Sequence, residues 1–434
     1  MPSIPVTGFL AENAAFARRC AEAGSIFVGP RPELLELFGD KGRARALAQQ
    51  LGIPVLAGTS GPTNLEEAKG FLASLTSGAP SNSASVMVKA VSGGGGRGMR
   101  IASTSSELEQ AYAQCSVEAL SAFANGDLYV ERFLTRARHV EVQVIGDGHE
   151  VIHLGERECS LQRRRQKLVE ITPAPGLSLV LRERLTAAAL RLARETSFNS
   201  AGTFEFLVDA DTETFWFLEA NPRLQVEHTI TEEITGIDIV KAQLMLASGR
   251  SLDDLDLKQS HVKFRPGFAM ELRINAETFD REGRVQPSHG VIAAYDAPSG
   301  PGIRIDTAGH TGFHTNPRFD PLLAKLVTYS PSSALEDLML RASRALYEFC
   351  IDGISTNIPL LVRLLQHPDV RSGRFHTQFV EEHIPELLPK EVPAARIPPV
   401  ATAGDKQSLP LAVGPEGTIP VASVMQATVV SIDV

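Results

Sequence analysis

The chain is predicted to combine α/β and α+β architecture, on three observations. Up to about residue 250, amphipathic helix patterns alternate with short apolar strand patterns, as in layered α/β folds. Residues 203–219 read as a tight two-stranded ribbon, alternating in its first arm and aromatic in its second. Beyond residue 265, strand patterns dominate first and helix patterns follow, the order of an α+β unit.

Residues 12–23, ENAAFARRCAEA, carry apolar side chains every three or four positions and predict a helix. Ser25–Val28 predicts a short strand, closed by Gly29-Pro30, and helices follow over 32–38 and 41–51. A doubly wound unit needs several strands and this stretch holds one. Residues 1–40 are therefore expected to be the remnant of a Rossmann-like domain lacking its first part. Asn64 with Glu67 at the third helical position predicts a capped helix to Leu75.

A loop over 76–85 leads to a strand, Val86–Val91, that carries Lys89. The glycine loop SGGGGRGMR and a strand Met99–Ala102 come next. Thr104 and Glu107 form a capping box that opens a helix to Phe123. Strands are expected over Leu128–Leu134 and His139–Ile145, with a turn at Gly146-Asp147-Gly148 into Glu150–Gly155. Residues 179–196 predict an amphipathic helix, and 225–248 a helical stretch broken near Gly236.

The polar stretch 251–266 links to a second unit, expected over 265–385. Its strands are Ala269–Asn275, Gly290–Tyr295, Ile303–Asp306 and Leu322–Thr328, and its helices span 334–348 and 357–366. Residues 386–417 are rich in Pro, Ala and Gly and read as a linker. Residues 418–434 alternate like strands but are too short for a domain.

Composition narrows the function. A net charge of −9 lacks the basic footprint of a nucleic-acid binder. No run of about 18 apolar residues is long enough for a membrane span, and the N-terminus shows no basic segment followed by an apolar core. The four cysteines form no CxxC pair and read as reduced intracellular thiols, not a disulfide or zinc framework.

The ribbon carries the chemistry. If it folds about Thr212, Glu205 and Glu219 lie opposite each other and point the same way, with Leu207 and Phe217 as an apolar floor. Facing carboxylates repel, so a divalent cation is the simplest compensation. Asn221 adds a neutral oxygen, and an all-oxygen set suits Mg²⁺ or Mn²⁺ bound together with phosphates. A solvated hairpin is the bland alternative, but Arg223, Gln225, Glu227 and His228 follow at a density that a plain hairpin does not need.

The glycine loop, with Lys89 before it and Arg97 inside it, reads as a flap over phosphates. The cation-rich run RECSLQRRRQK, residues 157–167, is suited to neutralising phosphates and a small anion. Arg223, Lys167 and Arg304 are candidates for a bicarbonate or phosphate cage, and Glu227 is a candidate base if its environment holds its pKa near working pH.

Taken together, GFLAENAAFARRCAEAGSIFVGP, GDK, VKAVSGGGGRGMRIA, YVERFLTRARHVEVQVIGD, ERECSLQRRRQKLVE, GTFEFL, FLEANPRLQVEH and RINAE resemble biotin carboxylase, an ATP-grasp enzyme. The resemblance runs from about Gly8 to about Glu382. It implies an ATP-grasp domain over 41–250, with a lid at about 60–132, and a biotin carboxylase C-terminal domain over 265–385. It implies that Lys41 and Lys89 contact ATP phosphates, that Gly95 and Gly96 belong to the lid loop, and that Glu131, Arg132, Phe133 and Leu134 hold adenine. His139 would sit near the ribose, with Leu207 and Arg165 beside the nucleotide. Glu205, Glu219 and Asn221 would hold Mg²⁺ or Mn²⁺, with two ions expected. Lys167, Arg223 and Val226 would hold bicarbonate, Glu227 would deprotonate it, and Arg304 would stabilise the biotin enolate.

The implied reaction is ATP-dependent carboxylation of biotin through carboxyphosphate, within an acyl-CoA, pyruvate or urea carboxylase. The implied partners are a biotinyl carrier domain, whose start residues 418–434 resemble, a carboxyltransferase and a second copy of the chain. The implied location is the cytoplasm or the mitochondrial matrix. The family's tyrosine near biotin is Thr7 here, and Arg165 stands where the family often has His or Asn. The other readings are a carbamoyl-phosphate-type ATP-grasp ligase and an inactive nucleotide-binding remnant.

Overall fold

The computed structural model describes residues 10–59, 61–77, 84–91, 98–209, 211–280 and 283–388. Thr7, Gly95, Gly96, Arg97, the expected linker beyond residue 388 and the carrier-like tail lie outside the described residues, while a helix Phe379–Leu387 occupies the linker's expected start. Three helices come first, α1 (Ala14–Glu22), α2 (Pro32–Gly39) and α3 (Lys41–Gln50). Asn13 caps α1 by accepting from the Phe16 N–H, and Asp40 caps α3 by accepting from the Arg43 N–H. The second cap fixes Lys41 as the first residue of its helix. Ser25–Val28 forms no strand, a departure from the sequence reading. Phe27 alone makes a bridge there, and a single bridge is no ladder.

A small lobe follows. It packs α4 (Leu65–Ser77) and α5 (Ser105–Phe123) on the antiparallel strands β1 (Val86–Ala90), β2 (Met99–Ala102) and β3 (Leu128–Arg132), in the order β2-β1-β3. Its own core includes Leu72, Val86, Val88, Leu108, Cys115 and Val130. The capping box of α4 is reciprocal: Asn64 Oδ1 accepts from the Glu67 N–H at 2.9 Å, and Glu67 Oε2 from the Asn64 N–H at 3.1 Å.

The rest is built on one eight-stranded antiparallel sheet. Its strands are β4 (Ala137–Asp147), β5 (Val151–Arg163), β6 (Gln166–Thr172), β7 (Asn199–Asp209), β8 (Thr214–Asn221), β9 (Phe268–Asn275), β10 (Ile303–Thr307) and β11 (Leu322–Ser330). Their order is β10-β11-β9-β6-β5-β4-β7-β8. Pairing of β6 with β9, including Val169↔Leu272 and Glu170↔Glu271, makes the sheet continuous across the expected division near residue 260.

One core packs α2, α3 and α6 (Leu179–Glu195) on β4, β7 and β8, around Phe38, Phe198, Phe204 and Phe206. Another packs α9 (Leu335–Glu348) and α10 (Ile358–Gln366) on β6, β9 and β11. The helices α7 (His228–Thr235) and α8 (Ile239–Ala247) follow the ribbon.

The strand expected over Glu150–Gly155 runs on to Arg163. It pairs with β4 as far as Glu158 and with β6 from Glu158 to Arg163, so it keeps a ladder partner through the cation-rich run. All but one of its residues are buried, because α6 and α7 both pack on it. The run 157–167 is consequently a β-hairpin whose first arm is buried, with Arg157 fully buried and Arg163 nearly so, and whose turn at Arg164 is exposed.

Candidate active site

The ribbon β7–β8 closes at Asp209↔Thr214, and Glu205 pairs with Glu219. A bulge then shifts the register, so that Phe206 pairs with Phe217 and Leu207 with Trp216. This corrects one expectation: Phe217 turns into the core with Phe206, and Leu207 keeps Trp216 across from it. The extra residue, Leu218, separates the acidic end of the ribbon from its aromatic end.

The carboxylate pair continues across the sheet. Glu219 lies opposite Glu205, Glu205 opposite Glu141, and Glu141 opposite Arg157. Directly opposed residues point to one face, so three acids and a guanidinium form a transverse row. Cations offset the repulsion. Lys41 Nζ lies 2.8 Å from Glu219, Arg157 Nε 2.6 Å from Glu141, and Lys167 Nζ 2.6 Å from Glu141 and 3.6 Å from Glu205.

Glu205 also meets His139 Nε2 at 2.7 Å and accepts from Asn221 Nδ2 at 2.7 Å and Gln225 Nε2 at 2.8 Å. Burial works against its charge, but Lys167 and His139 hold its carboxyl well below the usual range. Burial likewise opposes charge on His139, and Glu205 prevails, raising its pKa.

The donor set fits an oxygen-preferring divalent ion. Two facing carboxylates and one amide share a face, and Glu219 is part-open to solvent. Asn221 gives its Nδ2 to Glu205, and its Oδ1 accepts from Arg223 Nη2 at 3.2 Å. Turning that amide over aims its oxygen at the carboxylates.

Glu227 stands at the start of α7, 2.5 Å from Lys167 and 3.0 Å from Arg273. Burial raises its pKa, but Lys167, Arg273 and Arg157 outweigh that and hold the carboxyl well below the usual range. Lys167 thus joins Glu141, Glu205 and Glu227, the group expected to be the base and an acid expected to bind metal. Its own pKa rises despite burial, through Cys159 and the three carboxylates.

At the lobe, Lys89 and Arg45 share Glu131, the latter at 3.0 Å. Lys89 is almost fully buried, and burial with Lys41 nearby pushes its pKa down. Two cations on one carboxylate, with Lys41 close by, leave this corner net positive. Phe133 donates its N–H to Ser85 O at 2.8 Å, and Arg132 donates to Ala57 O at 2.8 Å, so both belong to the lobe's edge. Leu134 lies half-buried in the link to β4. Leu207 lies directly across from His139. Arg165, in the β5–β6 turn, reaches the lobe: its guanidinium donates to Met99 O at 3.0 Å and meets Met87 Sδ at 3.0 Å.

Arg223 also meets Glu12 at 3.2 Å, linking the site to the segment before α1. The Val226 carbonyl accepts from Lys325 Nζ at 2.9 Å, and Lys325 lies 3.5 Å from Asp306. Arg304, opposite Val327 on β11, binds Asp306 at 2.9 Å and Glu232 at 2.8 Å. It is therefore held by acids of α7 and of its own strand.

Sequence reasoning missed Glu141, Arg157, Arg273 and Arg45 as members. A signal for one of them, Glu141, was present. In HVEVQV the polar residues His139, Glu141 and Gln143 occupy every second position, yet all three are buried. A buried polar face on a central strand marks a site.

An antiparallel sheet bearing a metal-suited carboxylate pair, under a lobe rich in cations, defines an ATP-grasp ligase. The family described as carbamoyl-phosphate synthase L chain, ATP binding domain, matches residues 40–255. The biotin carboxylase N-terminal domain matches 4–35, and the biotin carboxylase C-terminal domain 271–382. The chain belongs to the biotin carboxylase family.

Pyruvate carboxylase of Aspergillus niger is 46% identical over 387 residues, 88% of this chain and 31% of that protein. Mitochondrial pyruvate carboxylase of Rattus norvegicus is 44% identical over 390 residues, 88% of this chain and 32% of its own length. The chain spans about a third of these relatives.

Among solved structures, the biotin carboxylase domain dimer of Hydrogenobacter thermophilus 2-oxoglutarate carboxylase superposes with a TM-score of 0.83 at 41% identity, covering 90% of this chain and 83% of that one. It is a complex with MgADP, ADP and bicarbonate. Biotin carboxylase of Campylobacter jejuni, with a β,γ-ATP ligand, gives a TM-score of 0.81 at 36% identity, covering 88% of this chain and 82% of that one. No helix among the described residues is long and apolar enough to cross a membrane.

Proposed function

We propose that this chain activates bicarbonate with ATP and carboxylates biotin on its ureido nitrogen through carboxyphosphate. One observation supports this most: Lys167 joins the candidate base Glu227 to the carboxylate row. An anion placed at Lys167 is then within reach of both a base and a nucleotide phosphate.

In this reading Lys41 and Lys89 neutralise the phosphates of ATP, and Glu131 to Leu134 form the adenine side with Arg165. Phosphoryl transfer needs mainly alignment and charge neutralisation, which these cations supply. Glu205, Glu219 and Asn221 would hold Mg²⁺ or Mn²⁺, whose charge offsets that of the phosphates when bound. Lys167, Arg223 and the Val226 backbone hold bicarbonate.

Glu227 is ionised, the form that accepts a proton, and its partners keep it weakly basic. Bicarbonate that competes for Lys167 loosens that hold and raises its basicity. Arg304 stabilises the oxygen of the deprotonated ureido group. Gly95 and Gly96 would close over the nucleotide.

The carboxylated biotin would sit on a biotinyl carrier domain and serve a carboxyltransferase of acyl-CoA, pyruvate or urea carboxylase type, in a homodimer in the cytoplasm or mitochondrial matrix. Bicarbonate-dependent ATP cleavage, assayed with and without free biotin, tests the reading. Stimulation by biotin is expected. Turnover that responds to ammonia and ignores biotin would instead indicate a carbamoyl-phosphate-type ligase.

A further inference from the structure

Behind the base lies a second pair of facing carboxylates. Glu170 on β6 and Glu271 on β9 are directly opposed in the ladder, and both are fully buried. Directly opposed side chains share a face. Arg273, two residues beyond Glu271, lies on that face as well. It bridges Glu170 at 2.6 Å and Glu227 at 3.0 Å. Thr229, on α7, donates its hydroxyl to Glu271 Oε2. One oxygen of each acid, Glu170 Oε2 and Glu271 Oε1, is buried without a hydrogen-bond partner.

Two ionised carboxylates set against each other in a dry interior, each with an unpaired oxygen, are strongly unfavourable. The charged groups that face them do not offset two negative charges. Arg273 is already shared with Glu227, Lys167 is divided among three acids, and Lys325 is engaged by Asp306 and the Val226 carbonyl.

We propose that Glu170 and Glu271 hold one proton between them at neutral pH, with Glu170 ionised on Arg273 and Glu271 neutral. The proton would supply the partner that each orphaned oxygen lacks. The pair is then a positioning element. It fixes Arg273 with one negative charge on the far side, so that Arg273 also holds Glu227.

Burial and the neighbouring acid push Glu271 up to about 8, and burial raises Glu170 to about 7 despite Arg273. Losing the shared proton would place a second negative charge behind Arg273. That charge draws the guanidinium off Glu227 and disturbs the site as pH rises.

This inference rests on Glu227 as the base only for its kinetic consequence; the shared proton stands on its own. The test uses the full chain and the near-isosteric variants Glu271→Gln and Glu170→Gln. Difference infrared spectra are expected to show a protonated carboxylic acid at pH 7 in the parent protein that is missing from Glu271→Gln. The kcat profile of Glu271→Gln, in biotin-dependent ATP cleavage, is expected to lose the alkaline limb of the parent near pH 8. Glu170→Gln is expected to lower kcat with little change in the KM for ATP. A parent spectrum without the acid band at pH 7 would overturn the shared proton. An acid band with superimposable pH profiles would overturn the link to Glu227.

Discussion

Glu205 and Glu219 face each other as expected, and the polar tetrad 210–213 marks the turn in the sequence, but the turn pairs Asp209 with Thr214, a register that alone would set Leu218 opposite Glu205. The bulge at Leu218 was not legible. A single extra residue leaves no compositional trace, yet it brings Glu219 opposite Glu205 while Phe217 stays paired with Phe206 in the core. The cations that offset the acids were also hidden, since Lys41 comes from a distant helix and Lys167 from another hairpin.

Glu219→Gln should abolish metal-dependent ATP cleavage, by about 10²-fold or more for a lost electrostatic contact, while circular dichroism stays unchanged. Arg223→Ala should lower kcat more than it raises KM, because its proposed role lies in the chemical step. Arg157 is fully buried and donates to Glu141, Gln143, Thr231, Thr203 and Gln225. Its replacement by Met leaves Glu141 with Lys167 as its cation and breaks a buried pair, at a cost of up to about 3–5 kcal/mol. A clear drop in the thermal midpoint should report that loss.

At the scale of elements, caps and periodicity gave most helices to within a few residues, since each is a local signal. Thr104, Ser178 and Asp238 each cap a helix as their side-chain chemistry suggests. Strand ends were less legible. β5 extends to Arg163 because β6 carries its ladder on beyond the last β4 pair at Glu158, which no local pattern encodes.

The link before β9 is also set by long-range contact. Gly267 has φ +92°, and a Cβ there would lie 2.0 Å from Ser330 O. Gly267→Ala should therefore destabilise the β9–β11 junction by about 1–3 kcal/mol, the scale of local backbone strain. The thermal midpoint should fall, more than for an exposed glycine with open space such as Gly24 substituted likewise.

At the scale of the whole molecule, the expected α/β and α+β parts are joined by one continuous sheet, and the carboxylate row crosses it from β8 to β5. That row joins residues more than sixty apart in sequence, which explains why its middle members escaped a linear reading. The same arrangement sets two pH limits.

Glu205 and Glu227 have depressed pKa values, so their stabilisation is complete above the usual carboxylate value of 4.5 and is lost as pH falls toward their folded values. Glu271 is raised, so its contribution has the opposite sign. Stability is lost as pH rises from 4.5 toward about 8. The thermal midpoint should therefore fall at both ends, and Glu271→Gln should flatten only the alkaline side.

The most direct test of the account is ATP cleavage by this chain in the presence of Mg²⁺, with bicarbonate and free biotin each added or withheld. Cleavage should require bicarbonate, rise with biotin, and vanish in Glu227→Gln although ATP still binds. Cleavage indifferent to both bicarbonate and biotin, or retained in Glu227→Gln, would contradict it.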